Sequence, residues 1–547
     1  MSYIIYSYFL FLLLILFEAC NDAVQKVDRN NFVTYIFDNE DSKRKEIIIG
    51  DSVKIGPLKG LSNKYAHSGV NSIRLDSSYH YRCVIKLKNV RPNEFFIIEA
   101  WQKTTVKNQK HCFLVINEKK HFYHHSNKLF LTEKSGWKLT KCFFRIPSDY
   151  SGKEITIYAW NTSKNSIYVD DLKVTRYPNI STYNEAFNLD KIYLNIGKKE
   201  LFHLDSLRNI RWNGTRPKRT KNDYVNATIV FAGDTAKGKV RLKGDLVDHL
   251  RDKKYSFRIK TKKPLVYGLK KFNVQAPDTR WMLNEYVYHK LISKENILCP
   301  KYSFVELIVN NESWGIYAFE EALSTQMVIN ANKPKGVILK FDDDKYWAET
   351  DKKKKNNLYS SVNIKSYGSK NAIEIEAAKK ILKHRQVQDS SFFDDFDWDA
   401  MAKFYVLNEI TKGYHALGWL NIRFYFNSDS QLMEPVGYDA YPGMGYALWA
   451  NHFIGNPLEK SNDPFSVVGI VNKAITNPKV NYLFDDYVKK YAKKEYMSHF
   501  MESLEKEITF YEAELQKEYP YYKYDRDFLI SNAVIFDSLY SITKKKK

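Results

Sequence analysis

From about Asn31 to Tyr177 the chain is written in short runs of alternating apolar and polar residues, cut by Asn, Gly, Ser and Pro. Cys83-Val-Ile-Lys-Leu, Phe95-Phe-Ile-Ile-Glu-Ala-Trp101, Cys112-Phe-Leu-Val-Ile and Ile155-Thr-Ile-Tyr-Ala-Trp160 are of this kind. A period of two over so few residues, repeated at this spacing, predicts antiparallel strands stacked as a sandwich or jelly roll. Past Pro178 the period changes. Strand-like stretches run on to about Ile338, and Ala372 to Arg385 and Asp399 to Thr411 then carry apolar residues at helical spacing. Asp394, Asp395 and Asp397 precede the second of these helices, where the helix dipole favours negative charge. At 547 residues the chain exceeds a single core. The expected architecture is therefore multidomain: an all-β jelly-roll sandwich over 28–177, a linker over 178–190, and an α+β domain over 191–547.

The amino terminus carries a different signal. Tyr3 to Phe17 is an almost uninterrupted apolar run followed by Glu18-Ala19-Cys20. It is short for a bilayer span and fits the hydrophobic core of a secretion signal over 1–20. Cys20 after a small residue resembles a bacterial lipoprotein site, which implies lipidation of its thiol. The expectation is export: an outer or cell-surface membrane lipoprotein held by an N-terminal lipid anchor, otherwise a periplasmic or secreted protein. Cys83, Cys112, Cys142 and Cys299 form neither a disulfide framework nor a zinc pattern. The formal charge of +22 would attract phosphates, anionic glycans or nucleic acid. With no Cys/His finger spacing and no RNA-binding aromatic signature, nucleic acid is not the expected partner.

The end of the β-rich part is more specific. Gly136-Trp137, Ile155 to Asn161 and Ile167-Tyr-Val-Asp-Asp-Leu-Lys-Val174 resemble the closing strands of carbohydrate-binding-module jelly rolls. That resemblance implies a glycan partner and a structural calcium near Asp170 or Asp171. Trp101, Trp137 and Trp160 could stack on sugar faces or simply fill the sandwich core. His124-His125 reads as an exposed strand end rather than a set of metal ligands.

Three blocks carry chemistry. Val240-Arg-Leu-Lys-Gly-Asp-Leu-Val-Asp-His-Leu250, followed by Lys253 to Lys260, reads as strand, glycine turn and strand. In the second strand Tyr255, Phe257 and Ile259 alternate with Ser256, Arg258 and Lys260, so one face is apolar and the other suits phosphates. Val305 to Glu321 reads as a hairpin turning at Asn310 to Ser313, followed by the strand Gly336-Val-Ile-Leu-Lys340. The third block runs from Lys412 through His415 to Asn421, then Ile422 to Asn427, then Leu432 to Asp439. An Asn and an Asp joined by a hairpin can share a divalent cation through hard oxygens.

These blocks resemble the spore-coat protein H (CotH) kinase family, in order, over about Lys191 to Asn456. The resemblance implies a two-lobed atypical kinase-like domain, ATP as phosphate donor and Mg²⁺ or Mn²⁺ as cofactor. It implies Asn421 and Asp439 as metal ligands, and Arg258, Lys260, Lys340 and one of Glu320 and Glu321 at the nucleotide phosphates. Strand alternation allows only one of those two glutamates to face Lys340. Many family members carry an aspartate a few residues before the asparagine. Here Gly413 to Gly418 has no carboxylate, and His415 is the nearest titratable group, either a catalytic base or a core histidine. The implied function is phosphoryl transfer to Ser or Thr of a secreted or surface protein. The alternatives are an inactive surface scaffold or glycan-binding protein, and a kinase acting on a polysaccharide.

Overall fold

The computed structural model describes four short strands before Gly60. From Gly60 to Lys544 it describes all but a set of segments, of which 107–110, 178–185, 213–219, 342–362, 388–393 and 441–476 are the longest. The described residues form two compact units that part between Tyr177 and Ala186.

The first unit is a sandwich of two antiparallel sheets. The strands Ile167–Tyr177, Phe95–Thr104 and Lys138–Arg145 lie side by side in one sheet; Phe122–Ser126, Phe113–Glu118, Glu154–Trp160 and Tyr81–Lys88 make up most of the other. The alternation read from the sequence sorts each strand by face. Ile155, Ile157 and Ala159 are sealed in the inter-sheet core with Leu114, Ile116, Ile98 and Val174, while Thr156, Tyr158 and Trp160 take the opposite face. Cys83, Cys112 and Cys142 form no disulfide among the described residues.

The second unit begins with a closed barrel. Its strands are β1 (Lys191–Ile196), β2 (Val225–Phe231), β3 (Asp234–Leu242), β4 (Phe257–Thr261), β5 (Lys271–Gln275), β6 (Tyr302–Val309) and β7 (Glu312–Glu321). They run in the order β1-β2-β3-β4-β5-β7-β6, and β6 closes on β1 in parallel. Val240, Leu242, Phe257, Ile259, Phe272, Val274, Tyr317 and Phe319 point inward and fill the barrel. The hairpin between β6 and β7 turns at Asn310 and Asn311, both in the left-handed region that asparagine tolerates. A helix absent from the sequence reading, α1 (Lys198–Trp212), follows β1.

The second lobe is built on the sheet Ile364–Tyr367, Gly336–Phe341, Arg423–Asn427 and Leu432–Val436. Around it pack α2 (Leu283–Lys294), α3 (Ala372–Val387), α4 (Trp398–Thr411), α5 (Pro478–Tyr491), α6 (Lys494–Glu518) and α7 (Phe528–Lys544). Asp397 caps α4, accepting the Ala400 N–H at 3.0 Å. The linker expected over 178–190 ends early. Phe187 and Leu189 are buried in this lobe's core, and the Asn188 N–H donates to Glu514 at 2.9 Å. Among the described residues no helix is long and apolar enough to cross a membrane, and the apolar run at 3–17 lies outside them.

Candidate active site

The outer face of the barrel holds a buried ion pair. Lys243, just past β3, donates to Glu320 on β7 at 3.0 Å and to Gln275 on β5 at 2.7 Å. Barrel alternation dictates the meeting: Phe319 points inward, so Glu320 points out, and Leu242 does the same for Lys243. Asn273 and Gln275 also donate to the Glu320 carboxylate, at 2.7 and 3.2 Å, and Tyr438 donates at 3.4 Å. Burial pushes the Glu320 carboxyl up, but Lys243 and Arg280 outweigh both burial and the repulsion from Asp439, holding it below its ordinary value. Lys243 is lowered by the same burial, which the attraction of Glu320 only partly offsets.

The second carboxylate is Asp439, in the loop after Leu432–Val436. Arg280 makes an ion pair with its Oδ1. Burial would raise this carboxyl, yet Arg280, then His415, Lys243 and Arg423 hold it far below the usual carboxylate range. Asp439 has a positive φ of 54°, and the next residue, Ala440, donates its N–H at 3.0 Å to Glu285 on α2. Glu285 is fully buried, so the loop is pinned to the helix.

Asn421 and His415 complete the group. Asn421 Nδ2 lies 3.3 Å from Asp439 Oδ2 and 2.6 Å from His415 Nδ1. His415 Nδ1 donates to the Asp439 carbonyl at 2.8 Å, and half of its side chain is exposed. Two nitrogen donors so close oppose each other. Turning the Asn421 carboxamide brings its oxygen to that place, about 3 Å from the Asp439 carboxylate. Adjacent ligands at about 2.1 Å from an octahedral Mg²⁺ lie about 3 Å apart. Arg280 occupies Asp439 Oδ1, which leaves Oδ2 as the oxygen facing Asn421. The two residues therefore fit a divalent cation, with Arg280 beside it.

The other sequence candidates lie elsewhere. Lys340 is in the second lobe's sheet, opposite Lys365 and Arg423, and Lys243 is the lysine that Glu320 holds. Glu321 accepts from the Lys301 N–H and from Asn330, each at 3.2 Å, on the opposite face to Glu320. Arg258 reaches the cluster through Asn273 at 2.9 Å, and Lys260, two residues on, lies over the Tyr224 ring at 4.3 Å. Cys20 lies outside the described residues. In the sandwich, Asp170 accepts the N–H groups of His67 and Asp171, at 2.7 and 2.9 Å. Asp171 accepts the Ser68 hydroxyl at 2.5 Å and bonds the His67 ring at 2.6 Å. Both carboxylates, at the place where calcium was expected, accept from hydrogen donors.

The sequence profile described as CotH kinase protein matches residues 240–529, more than half of the chain and all of this cluster. The chain belongs to the CotH kinase protein family. No curated protein matches it. Solved structures similar to the CotH chain correspond to its sandwich. One, "Family 16 Carbohydrate Binding Module-2", is 20% identical, covering 24% of this chain and 89% of its own, with a TM-score of 0.17. The C-terminal family 22 carbohydrate binding module of Clostridium thermocellum Xyn10B is 14% identical, covering 28% and 98%, with a TM-score of 0.20. A "Xylan-Binding Domain from CBM 22" is 13% identical, covering 26% and 92%, with a TM-score of 0.18.

Within the CotH domain, sequence reasoning missed Arg280, Glu285 and the role of Lys243. Lys243 stood inside the first block, next to the glycine turn. Arg280 and Glu285 lie between the blocks, and nothing local marks them.

Proposed function

We propose that this protein is an exported atypical kinase that transfers the γ-phosphate of ATP to Ser or Thr hydroxyls of a secreted or surface protein. The observation that carries this reading is the buried Lys243–Glu320 pair in one cluster with Asp439 and Asn421. In phosphoryl transfer the protein's work is positioning and charge stabilisation rather than covalent chemistry. Lys243, Arg258 and Arg280 bind the phosphates, and Asn421 and Asp439 hold Mg²⁺ or Mn²⁺. The ion, when bound, neutralises charge on the transferring group. His415 donates from Nδ1 to a carbonyl, which leaves Nε2 with the lone pair. The acceptor hydroxyl gives its proton to Nε2 as its oxygen bonds the γ-phosphorus, and the bond to the β–γ bridging oxygen breaks to release ADP.

The test is a thermal shift of the full chain with ATP, with and without Mg²⁺ or Mn²⁺, followed by transfer of labelled γ-phosphate. Wild type should show a metal-dependent shift that Asp439→Asn lacks. The Arg280–Asp439 ion pair favours a second reading, a scaffold whose metal ligand is already neutralised. A wild type without any nucleotide shift would select it.

The sandwich, in this proposal, brings the kinase to a glycan. Support comes from an aromatic face on one sheet: Trp160 stacks on the exposed Tyr81 at 6.0 Å and meets Phe113 at 5.8 Å, with Tyr158 beside Tyr81. Trp137, in contrast, is buried, and Trp101 is covered by His67 at 4.0 Å. Trp160→Ala should abolish retardation in glycan affinity gels where Trp137→Phe does not. Cys20 supplies the lipid anchor of an outer or cell-surface membrane protein, and palmitate labelling should vanish in Cys20→Ser.

A further inference from the structure

The outer face of β3, β4 and β5 carries more positive charge than a nucleotide uses. Arg241 stands directly opposite Arg258, and Lys239 opposite Lys260, which is in turn opposite Lys271. All five share the outer face, because Val240, Ile259 and Phe272 between them point into the barrel. Like charges directly opposite on neighbouring strands destabilise a sheet. The next partners along these rows are Asn226 and Asn273, not carboxylates. Glu320, beyond Asn273, is held by Lys243. Tyr224 reports the field: burial would raise its phenol, but Lys260 and Arg241, both at its ring, bring it below the ordinary value.

A nucleotide triphosphate carries roughly four negative charges, which one divalent ion already matches together with the net excess of Lys243, Arg258, Arg280 and Arg423 over Glu320 and Asp439. The row Lys239–Lys260–Lys271 lies two residues farther out along the strands, about 7 Å from the arginine row, and Lys237 about 7 Å beyond that. Lys237, Lys239 and Lys271 are exposed. An extended polypeptide presents same-side residues every two positions at about 6.8 Å, the interval at which Lys237, Lys239 and Arg241 follow one another on β3. Single-stranded nucleic acid would want aromatic platforms, and the Tyr224 ring is taken by Lys260 and Arg241.

We infer that this face docks an acidic stretch of the phosphoacceptor polypeptide, delivering its hydroxyl beside the nucleotide phosphates. The inference rests on the kinase reading for the delivery step, and docking itself needs no turnover. The test measures anisotropy of a labelled Ser-containing peptide rich in Asp and Glu against the full chain, in rising salt, alongside the Mg²⁺-ATP thermal shift. Replacing Lys237→Gln, Lys239→Gln and Lys271→Gln together should weaken the peptide about tenfold or more and flatten its salt dependence. The nucleotide shift should stay, and the melting temperature should hold or rise as repulsion is relieved. Unchanged peptide affinity in the triple variant overturns the inference, as does loss of the nucleotide shift with it, since the row would then belong to the nucleotide. Displacement of the peptide by a polyuronate or an oligonucleotide at lower charge concentration overturns it in favour of that polymer. If wild type binds the peptide through these lysines but gives no nucleotide shift, the docking face stands and the kinase reading falls.

Discussion

In the sandwich, His67 stands between Asp171 and Glu133 with Trp101 stacked on its ring. In the barrel lobe, Lys243 and Arg280 stand against Glu320 and Asp439. The side chains of the first group are 17%, 25% and 38% exposed, so water screens them. Those of the second are 1–12% exposed, and each charge there depends on its neighbours for solvation. The balance of sign differs too. Asp170, Asp171 and Glu133 surround a single histidine, and the group closes on itself. Around Glu320 and Asp439 gather Lys243, Arg258, Arg280 and Arg423, which leaves cationic charge over for an anionic ligand. The same residue chemistry makes a strut in one unit and, in the proposed reading, a nucleotide site in the other.

The sharpest way to break that contrast is to remove one buried charge. Lys243→Met leaves Glu320 buried without its cation, and a loss of about 3–5 kcal/mol in urea unfolding is expected. Pairing it with Glu320→Gln removes both charges and keeps an acceptor for Asn273, so most of that stability should return. Nucleotide binding should stay lost in both. A double variant that regained the Mg²⁺-ATP thermal shift would mean the pair is structural, like the group around His67.

His415 separates chemistry from binding. His415→Ala should keep the Mg²⁺-ATP thermal shift and lower transfer of the γ-phosphate about 10²- to 10⁴-fold, the usual weight of a general base. Full turnover in the variant would leave His415 a neighbour of Asp439 and no more. Its exposure, with Nδ1 committed to the Asp439 carbonyl, is what distinguishes it from His289, which is buried beside Glu285.

Much of this was legible in the chain, and the failures have physical causes. Strand alternation in Ile155–Trp160 and Phe257–Lys260 placed the faces correctly, because a period of two leaves no other choice once one face is apolar. Asn421 and Asp439 come together because the hairpin between them is local. Lys340 was a reasonable partner for Glu320 on the same logic, a lysine at a strand end, but the partner is 77 residues away in Lys243. No local pattern reports a barrel whose closure depends on β1 pairing in parallel with β6. Phe187 and Leu189 read as linker for a similar reason: two apolar residues in a polar stretch reveal their burial only when the helix carrying Glu514 is in place.

The smallest expected effect tests the strut. Burial lowers the basicity of His67, but hydrogen bonds and charge from Asp171 and Glu133 more than compensate, and its pKa is raised in the fold. A raised histidine contributes stability that is fully present below the unfolded value near 6.5 and is lost as pH rises through the folded value. Asp439 and Glu320 are lowered, so their contribution is present above the ordinary carboxylate range near 4 and is lost only as pH falls below it. Between pH 6 and 8 the His67 group should therefore respond while the two carboxylates do not. Hydrogen exchange of the full chain, corrected for intrinsic rates, should show the strand Ile167–Tyr177 opening more readily at pH 8 than at pH 6. In His67→Gln, which keeps one hydrogen bond and has no charge to lose, the dependence at Ile167–Tyr177 should flatten. Added salt should flatten it in wild type as well, since these side chains are reached by solvent. If His67→Gln keeps the wild-type slope, the histidine is not the cation that closes the sandwich cluster.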